Sequence, residues 1–191
     1  MLKKLLILGA VSMLSVSAYA AKPLTSGIYV EGNAGYGQVR TDIANVSNTN
    51  TGFMGGANAG YKFNQYLAVE IGINFFSKTT YSQSGIKHDA NKSNYYYDVA
   101  AKGILPLGDY GFDLFGKLGL AMAHTSWDST ILNVGGNSYT KPVGLLGLGV
   151  DYYFTPQFAA VAQTNITTKS GDKVPSMLSG TIGISYLFPI N

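Results

Sequence analysis

The chain has 191 residues, 46% hydrophobic and only 12% charged, about half the charge usual in a soluble domain. That balance excludes a disordered chain. The small formal charge of +3 excludes a nucleic-acid binder, and the lack of cysteine rules out disulfides, thiolate metal sites and a lipidated N-terminal cysteine.

Met1 to Ala20 reads as a secretory signal peptide. Lys3 and Lys4 form its charged start, Leu5 to Val16 its apolar stretch, and Ala18-Tyr19-Ala20 a small-x-small cleavage site. The apolar stretch is short for the ~20 residues of a helical span, and no later segment approaches that length. Residues 21–191 are then one domain that is secreted, periplasmic, or crosses a membrane as strands.

From residue 28 onward the chain alternates at period two, the mark of strands with two unlike faces. In chain order, Ile28, Val30, Ala34 and Tyr36 oppose Tyr29, Glu31 and Asn33. Phe53, Ala57, Ala59 and Tyr61 oppose Met54, Asn58 and Lys62. Leu67, Val69, Ile71, Ile73 and Phe75 oppose Ala68, Glu70, Gly72 and Asn74. Tyr95, Tyr97, Val99, Ala101 and Leu105 oppose Tyr96, Asp98, Ala100 and Lys102.

The second half repeats the pattern. Phe112, Leu114, Leu118, Leu120 and Met122 oppose Asp113, Phe115, Lys117 and Ala121. Leu146, Leu148, Val150 and Tyr152 oppose Leu145, Asp151 and Tyr153. Phe158, Ala160, Ala162 and Ile166 oppose Ala159, Val161, Gln163 and Asn165. Leu178, Ile182, Ile184, Tyr186 and Phe188 oppose Ser179, Thr181, Gly183 and Ser185. Every charge within these eight strands falls on the polar face.

The connections alternate short and long. Asn64-Gln65, Gly108 to Gly111 and Thr155 to Gln157 are tight turns. Gln38 to Asn50, Ser77 to Asn94, Thr125 to Ser138 and Thr167 to Ser176 are long and rich in Asn, Ser, Thr and Gly. Short turns at one end and long polar loops at the other describe an outer-membrane barrel. It must be closed, because lipid offers no partner to a sheet edge. The expected fold is therefore all-β, an eight-stranded antiparallel up-and-down transmembrane barrel. The rival, a soluble eight-stranded barrel of the lipocalin kind, keeps its apolar face inside. Here aromatics end the apolar rows (Tyr36, Phe53, Tyr61, Phe75, Tyr95, Tyr152, Phe158, Phe188), which suits two interfacial girdles.

On these grounds the sequence resembles the OmpA-like transmembrane domains of Gram-negative outer membranes. The resemblance rests on Ala68-Val69-Glu70-Ile71-Gly72, Ala101-Lys102-Gly103, the run from Phe112 to Gly119, Val150-Asp151-Tyr152, Thr155-Pro156 and the end from Thr181 to Phe188. It implies that the last strand, through Gly183, Tyr186 and Phe188, carries the signal read by the barrel-assembly machinery. Pro189-Ile190-Asn191 extend beyond the aromatic residue where many relatives stop. The peptidoglycan-binding domain of the longest members is lacking, so wall tethering does not carry over.

The resemblance places Glu70 and Lys102 where such barrels keep interior charges, matches Lys117 to a basic position on the fifth strand, and parity points all three inward. Glu31, Lys62 and Asp98 share that parity and join the expected lumen network, with Glu70 and Lys102 as the first candidates for a buried pair. Eight strands leave an interior just wide enough for side chains to fill, and charges there need partners. A wide diffusion pore is excluded, since it needs ~16 or more strands.

His124, Ser126 and Asp128 form the one catalytic-looking cluster. The His-x-Ser resembles the motif of PagL-type lipid A deacylases, but no Glu follows Glu70 to supply that family's acid. The plainer reading is a polar residue where a strand leaves the lipid, and no enzyme is expected. His88 and Asp89 lack further ligands, so neither a metal nor a cofactor is expected.

The sequence reading is a monomeric structural protein of the cell outer membrane, with surface loops available for adhesion or host contact. A narrow channel for ions or small solutes is the second reading, and a lipid A hydrolase the third. Expected partners are outer-membrane lipid and lipopolysaccharide, the barrel-assembly machinery and a surface ligand of the loops.

Overall fold

Alternating two-faced segments become eight antiparallel strands: β1 (Gly27–Ile43), β2 (Val46–Asn64), β3 (Leu67–Thr79), β4 (Asn91–Pro106), β5 (Phe112–Asp128), β6 (Asn137–Tyr153), β7 (Phe158–Thr167) and β8 (Ser176–Phe188). The computed structural model describes residues 21–43, 46–79, 91–108, 110–128, 137–170 and 174–189. Met1 to Ala20, His88 and Asp89 lie outside them, as does the side chain of Asp128. Each strand pairs with its sequence neighbour, and β8 returns to β1, from Ile28 opposite Phe188 to Arg40 opposite Ser176, closing the barrel.

The polarity is inverted relative to a water-soluble core. Outward Ile71, Leu118 and Ile182 are 62%, 68% and 71% exposed, whereas inward Glu70 is 2% exposed. So broad an apolar surface suits hydrocarbon and not water, which removes the lipocalin-like arrangement. Two aromatic belts bound it. At the loop end Tyr36 meets Phe53 edge-on and Phe75 meets Tyr95; at the turn end Phe112 packs on Tyr152 and Phe158 on Tyr186.

The turns are built by side-chain oxygens and glycine. Asn64 closes β2, and its Oδ1 accepts the N–H groups of Tyr66 and Leu67 at 2.8 and 3.0 Å, so the reversal falls on Gln65-Tyr66, one residue later than expected. Thr155 Oγ1 accepts the N–H of Phe158 at 2.9 Å. Gly108 and Gly111 take φ of 72° and 68°, values that L side chains rarely adopt.

At the loop end the expected boundaries need correction. The segment Gln38 to Asn50 is not a loop: β1 and β2 stay paired up to Ile43 opposite Val46. Likewise β5 and β6 stay paired up to Trp127 opposite Asn137. Beyond the membrane both faces of a hairpin meet water, so the ladder continues without any apolar alternation to reveal it.

The lumen is layered. Near the loop end Val39, Met54, Phe76, Tyr96, Ala123, Leu145 and Met177 form a buried apolar layer. Near the turn end Tyr29, Ala68, Ile104, Phe115, Val161 and Leu187 form another, and Leu24 packs against it. Residues ahead of β1 fold back across that mouth, with Ala21 N–H donating to Tyr153 O at 3.0 Å and Leu24 N–H to Pro156 O at 3.2 Å. The expected inward face mixed its charges with Tyr29, Met54, Tyr96, Phe115, Leu145 and Val161. The structure gathers these apolar side chains into the two clusters, with Lys62 and Asp151 set directly opposite Ala68 and Val161 of the turn-end one, because side chains with no room for water gain by packing.

Candidate functional site: the barrel lumen

Two like-charge juxtapositions shape the band of charges in the lumen. Lys102 lies directly opposite Lys117 on the neighbouring strand, and Asp113 directly opposite Asp151. Like charges so placed repel, and each side chain turns across the lumen to an opposite charge. Lys117 Nζ donates to Glu70 Oε1 at 2.6 Å and to Gln163 Oε1 at 2.7 Å. Lys102 Nζ donates to Asp151 Oδ2 at 3.0 Å and sits 3.7 Å from the centre of the Phe115 ring, a desolvated cation–π contact. Lys62 Nζ lies 3.6 Å from Asp113 Oδ2.

This corrects the expected pairing of Glu70 with Lys102. By register Lys102 lies opposite Ala68, and Glu70 opposite Ala100. Glu70 reaches Lys117 and also accepts the Tyr29 hydroxyl at 2.8 Å. That contact needs Gly60, because a Cβ there would run into the Tyr29 ring.

The remaining acids are held by amides. Glu31 Oε1 accepts from Gln163 Nε2 at 2.8 Å, Asn58 Nδ2 at 3.0 Å and Asn33 Nδ2 at 3.2 Å. Asp98 Oδ2 accepts from Asn74 Nδ2 at 3.1 Å. Thus Glu31, Lys62, Glu70, Asp98, Lys102 and Lys117 all lie buried inside the barrel. Sequence reasoning gave Asp113 and Asp151 the inward parity but left them out of the network, and gave Tyr29 and Gln163 no role. Counting register outward from the tight turn at Gly108 to Gly111, which sets Lys102 against Lys117, was the available signal for the lysines; Asp113 and Asp151 lie on β5 and β6, which a long connection joins.

Little space remains. A cavity of about 20 Å³, bordered by Lys62, Lys102, Asp151, Tyr153 and Ser185, lies at the turn end, room for one water. No helix among the described residues is long and apolar enough to cross a membrane.

Of the catalytic-looking cluster, the side chains of His124 and Ser126 are among those described. His124 Nδ1 is 2.8 Å from Thr140 Oγ1, and its ring stacks on Tyr95 at 4.6 Å. Ser126 pairs across the sheet with Ser138 and Ser93. On β8, Gly183 lies opposite Asn33, Tyr186 opposite Val30 and Phe188 opposite Ile28, which places all three on the closing seam.

Residues 6–188 match the family model described as the outer membrane protein beta-barrel domain. The chain belongs to this family. Its place is accordingly the cell outer membrane. Among solved structures it is similar to Neisserial surface protein A, at 19% identity and a TM-score of 0.68, over 86% of this chain and 99% of that one. It is also similar to Ail, the attachment invasion locus protein of Yersinia pestis, solved with the heparin analogue sucrose octasulfate, at 18% identity, TM-score 0.59, 86% of this chain and 100% of that one. The outer membrane protein OprG of Pseudomonas aeruginosa gives 14% identity, TM-score 0.59, and 88% and 100% coverage. These likenesses concern the fold. No curated protein matches.

Proposed function

We propose that this outer-membrane barrel is a closed scaffold whose transmembrane part holds its surface loops in place for contact with a ligand outside the cell. One observation carries the reading: the lumen is filled by three ion pairs between non-adjacent strands and by an apolar cluster toward either end. An interior so occupied suits rigidity better than transport. The partners that go with this role are outer-leaflet lipopolysaccharide around the loop-end aromatic belt, the assembly machinery at the β8 seam, and a ligand of the loops, with the barrel acting as a monomer.

The narrow-channel reading keeps one supporting observation. Lys62 Nζ, Asp113 Oδ2 and Asp151 Oδ1 are buried without a hydrogen-bond partner near the turn-end cavity, so the network has room to re-pair. Two measurements separate the readings. Cells displaying the intact protein should adhere to host cells or matrix more than cells displaying a version with shortened loops. The purified barrel should leave a planar bilayer non-conducting. Steady unitary currents from the unmodified protein, with adhesion indifferent to the loops, would sink the scaffold reading.

A further inference from the structure

Among the described residues the lumen holds five buried carboxylates and three buried lysines. Each lysine has an acid of its own, in Lys62–Asp113, Lys102–Asp151 and Lys117–Glu70. Glu31 and Asp98 are left with amides alone.

These two acids lie in one inward row across four strands. Glu31 is opposite Asn58, Asn58 opposite Gly72, and Gly72 opposite Asp98. Gly72 contributes no side chain, and oxygen walls the space it leaves. A Cβ built there would lie 2.5 Å from Asn58 Oδ1 and 2.8 and 3.0 Å from the two Asp98 oxygens. The adjacent row repeats the arrangement, with Gly56 between Asn33 and Asn74. A Cβ on Gly56 would meet Asn74 Oδ1, the Ile73 carbonyl at 2.9 Å and Asn33 Oδ1 at 3.0 Å.

A second observation points to a ligand. Glu31 Oε2 and Asn33 Oδ1 are buried with no hydrogen-bond partner, on residues only 3% and 8% exposed. Unsatisfied buried acceptors of this kind are rare. A water molecule would supply donors but would not balance the excess of five acids over three lysines. A hard divalent ion answers both needs, because calcium takes six to eight carboxylate and amide oxygens. Among the described residues no three Asp, Glu or His side chains gather, so amide oxygens must complete the set.

We propose that the lumen holds one calcium-class divalent cation between the carboxylates of Glu31 and Asp98, over Gly72. The ion would balance the two acids that form no ion pair with a lysine and tie β1 and β2 to β3 and β4.

The test uses the full barrel, refolded free of lipopolysaccharide in detergent and stripped with EDTA. Calcium chloride titrated by calorimetry should bind one ion per barrel and raise the temperature at which the folded gel band converts to the unfolded one. Asp98→Asn and Glu31→Gln should each weaken binding at least tenfold and abolish that rise. Asp89→Asn with Asp172→Asn, which removes acids remote in sequence from the site, should change neither. Europium luminescence lifetimes in H2O and D2O on the unmutated protein give an answer even where a variant fails to fold, since an ion in the lumen keeps few waters. Absence of binding, binding unaffected by both lumen variants, or a fully hydrated europium would each overturn the proposal.

Discussion

Lys102 faces Lys117, and Asp113 faces Asp151, across adjacent strands, so none of these four finds an opposite charge directly across that ladder. Each reaches past at least one strand, from β5 to β3 in Lys117–Glu70, from β4 to β6 in Lys102–Asp151 and from β5 to β2 in Asp113–Lys62, which makes every ion pair a strut between non-adjacent parts of the wall. Lys117→Met should therefore destabilise the barrel by about 3–5 kcal/mol, because it leaves the buried Glu70 carboxylate without its cation. Glu70→Gln combined with Lys117→Met should cost less than the two single changes together, and that coupling should exceed the coupling between Glu70 and Lys102. Reversible urea unfolding in detergent measures both; equal couplings would mean that Glu70 does not choose between the two lysines. Tyr29→Phe removes one hydrogen bond to the same carboxylate and should cost about 1.5–3 kcal/mol.

At the scale of the strand, β8 offers the sharpest test of which face meets lipid. Ile184 points outward and is 60% exposed, while Ser185 borders the small turn-end cavity. Ile184→Arg should lower stability by about 2–4 kcal/mol, the cost of a cation near the bilayer midplane. Ser185→Asn should leave the folded fraction, read as the unheated gel band, close to that of the unmodified protein. A larger loss from Ser185→Asn would invert the parity of the closing strand. That parity was legible in the sequence for all eight strands, because lipid outside and a charge-bearing lumen inside impose opposite demands on alternate residues. What the sequence could not reveal lies where that contrast fades. The paired hairpin ends, up to Ile43 opposite Val46 and Trp127 opposite Asn137, carry no two-faced contrast in their sequence, so the hairpins outrun the expected loops. Met54, Phe76 and Met177 share the inward parity of the acids, yet a dry lumen accepts either kind of residue. The partner of Glu70 depended on register and on repulsion between two lysines, neither of which periodicity encodes.

For the whole molecule, closure at the loop end rests on an apolar layer in which Met54 and Met177 are 0% and 1% exposed. Narrow apolar constrictions stop ions by excluding water. Replacing both methionines by serine should wet this layer and give small unitary currents in a planar bilayer where the unmodified barrel gives none. Because carboxylates outnumber lysines in the band below, those currents should favour cations. Silence from a double variant that is folded by gel shift would place the seal elsewhere, at the Leu24 side of the barrel.

The strands do not end at one height. β7 stops at Thr167, opposite Leu145, while β6 runs on toward the loop end as far as Asn137 beside β5, an overhang of roughly 25 Å at ~3.4 Å per residue. Along it, alternate amides face β5; on the other side Gly144 N–H donates to Thr168 Oγ1 at 2.8 Å, Pro142 has no N–H, and Ser138 and Thr140 face the side where β7 has already ended. Amide hydrogen exchange should record this as a comb. Within the overhang, slowly exchanging N–H groups bonded to β5 should alternate with fast ones at Ser138 and Thr140, and the comb should give way to uniform protection from Gly144 onward, where bonds to Thr168 and then the β7 ladder begin.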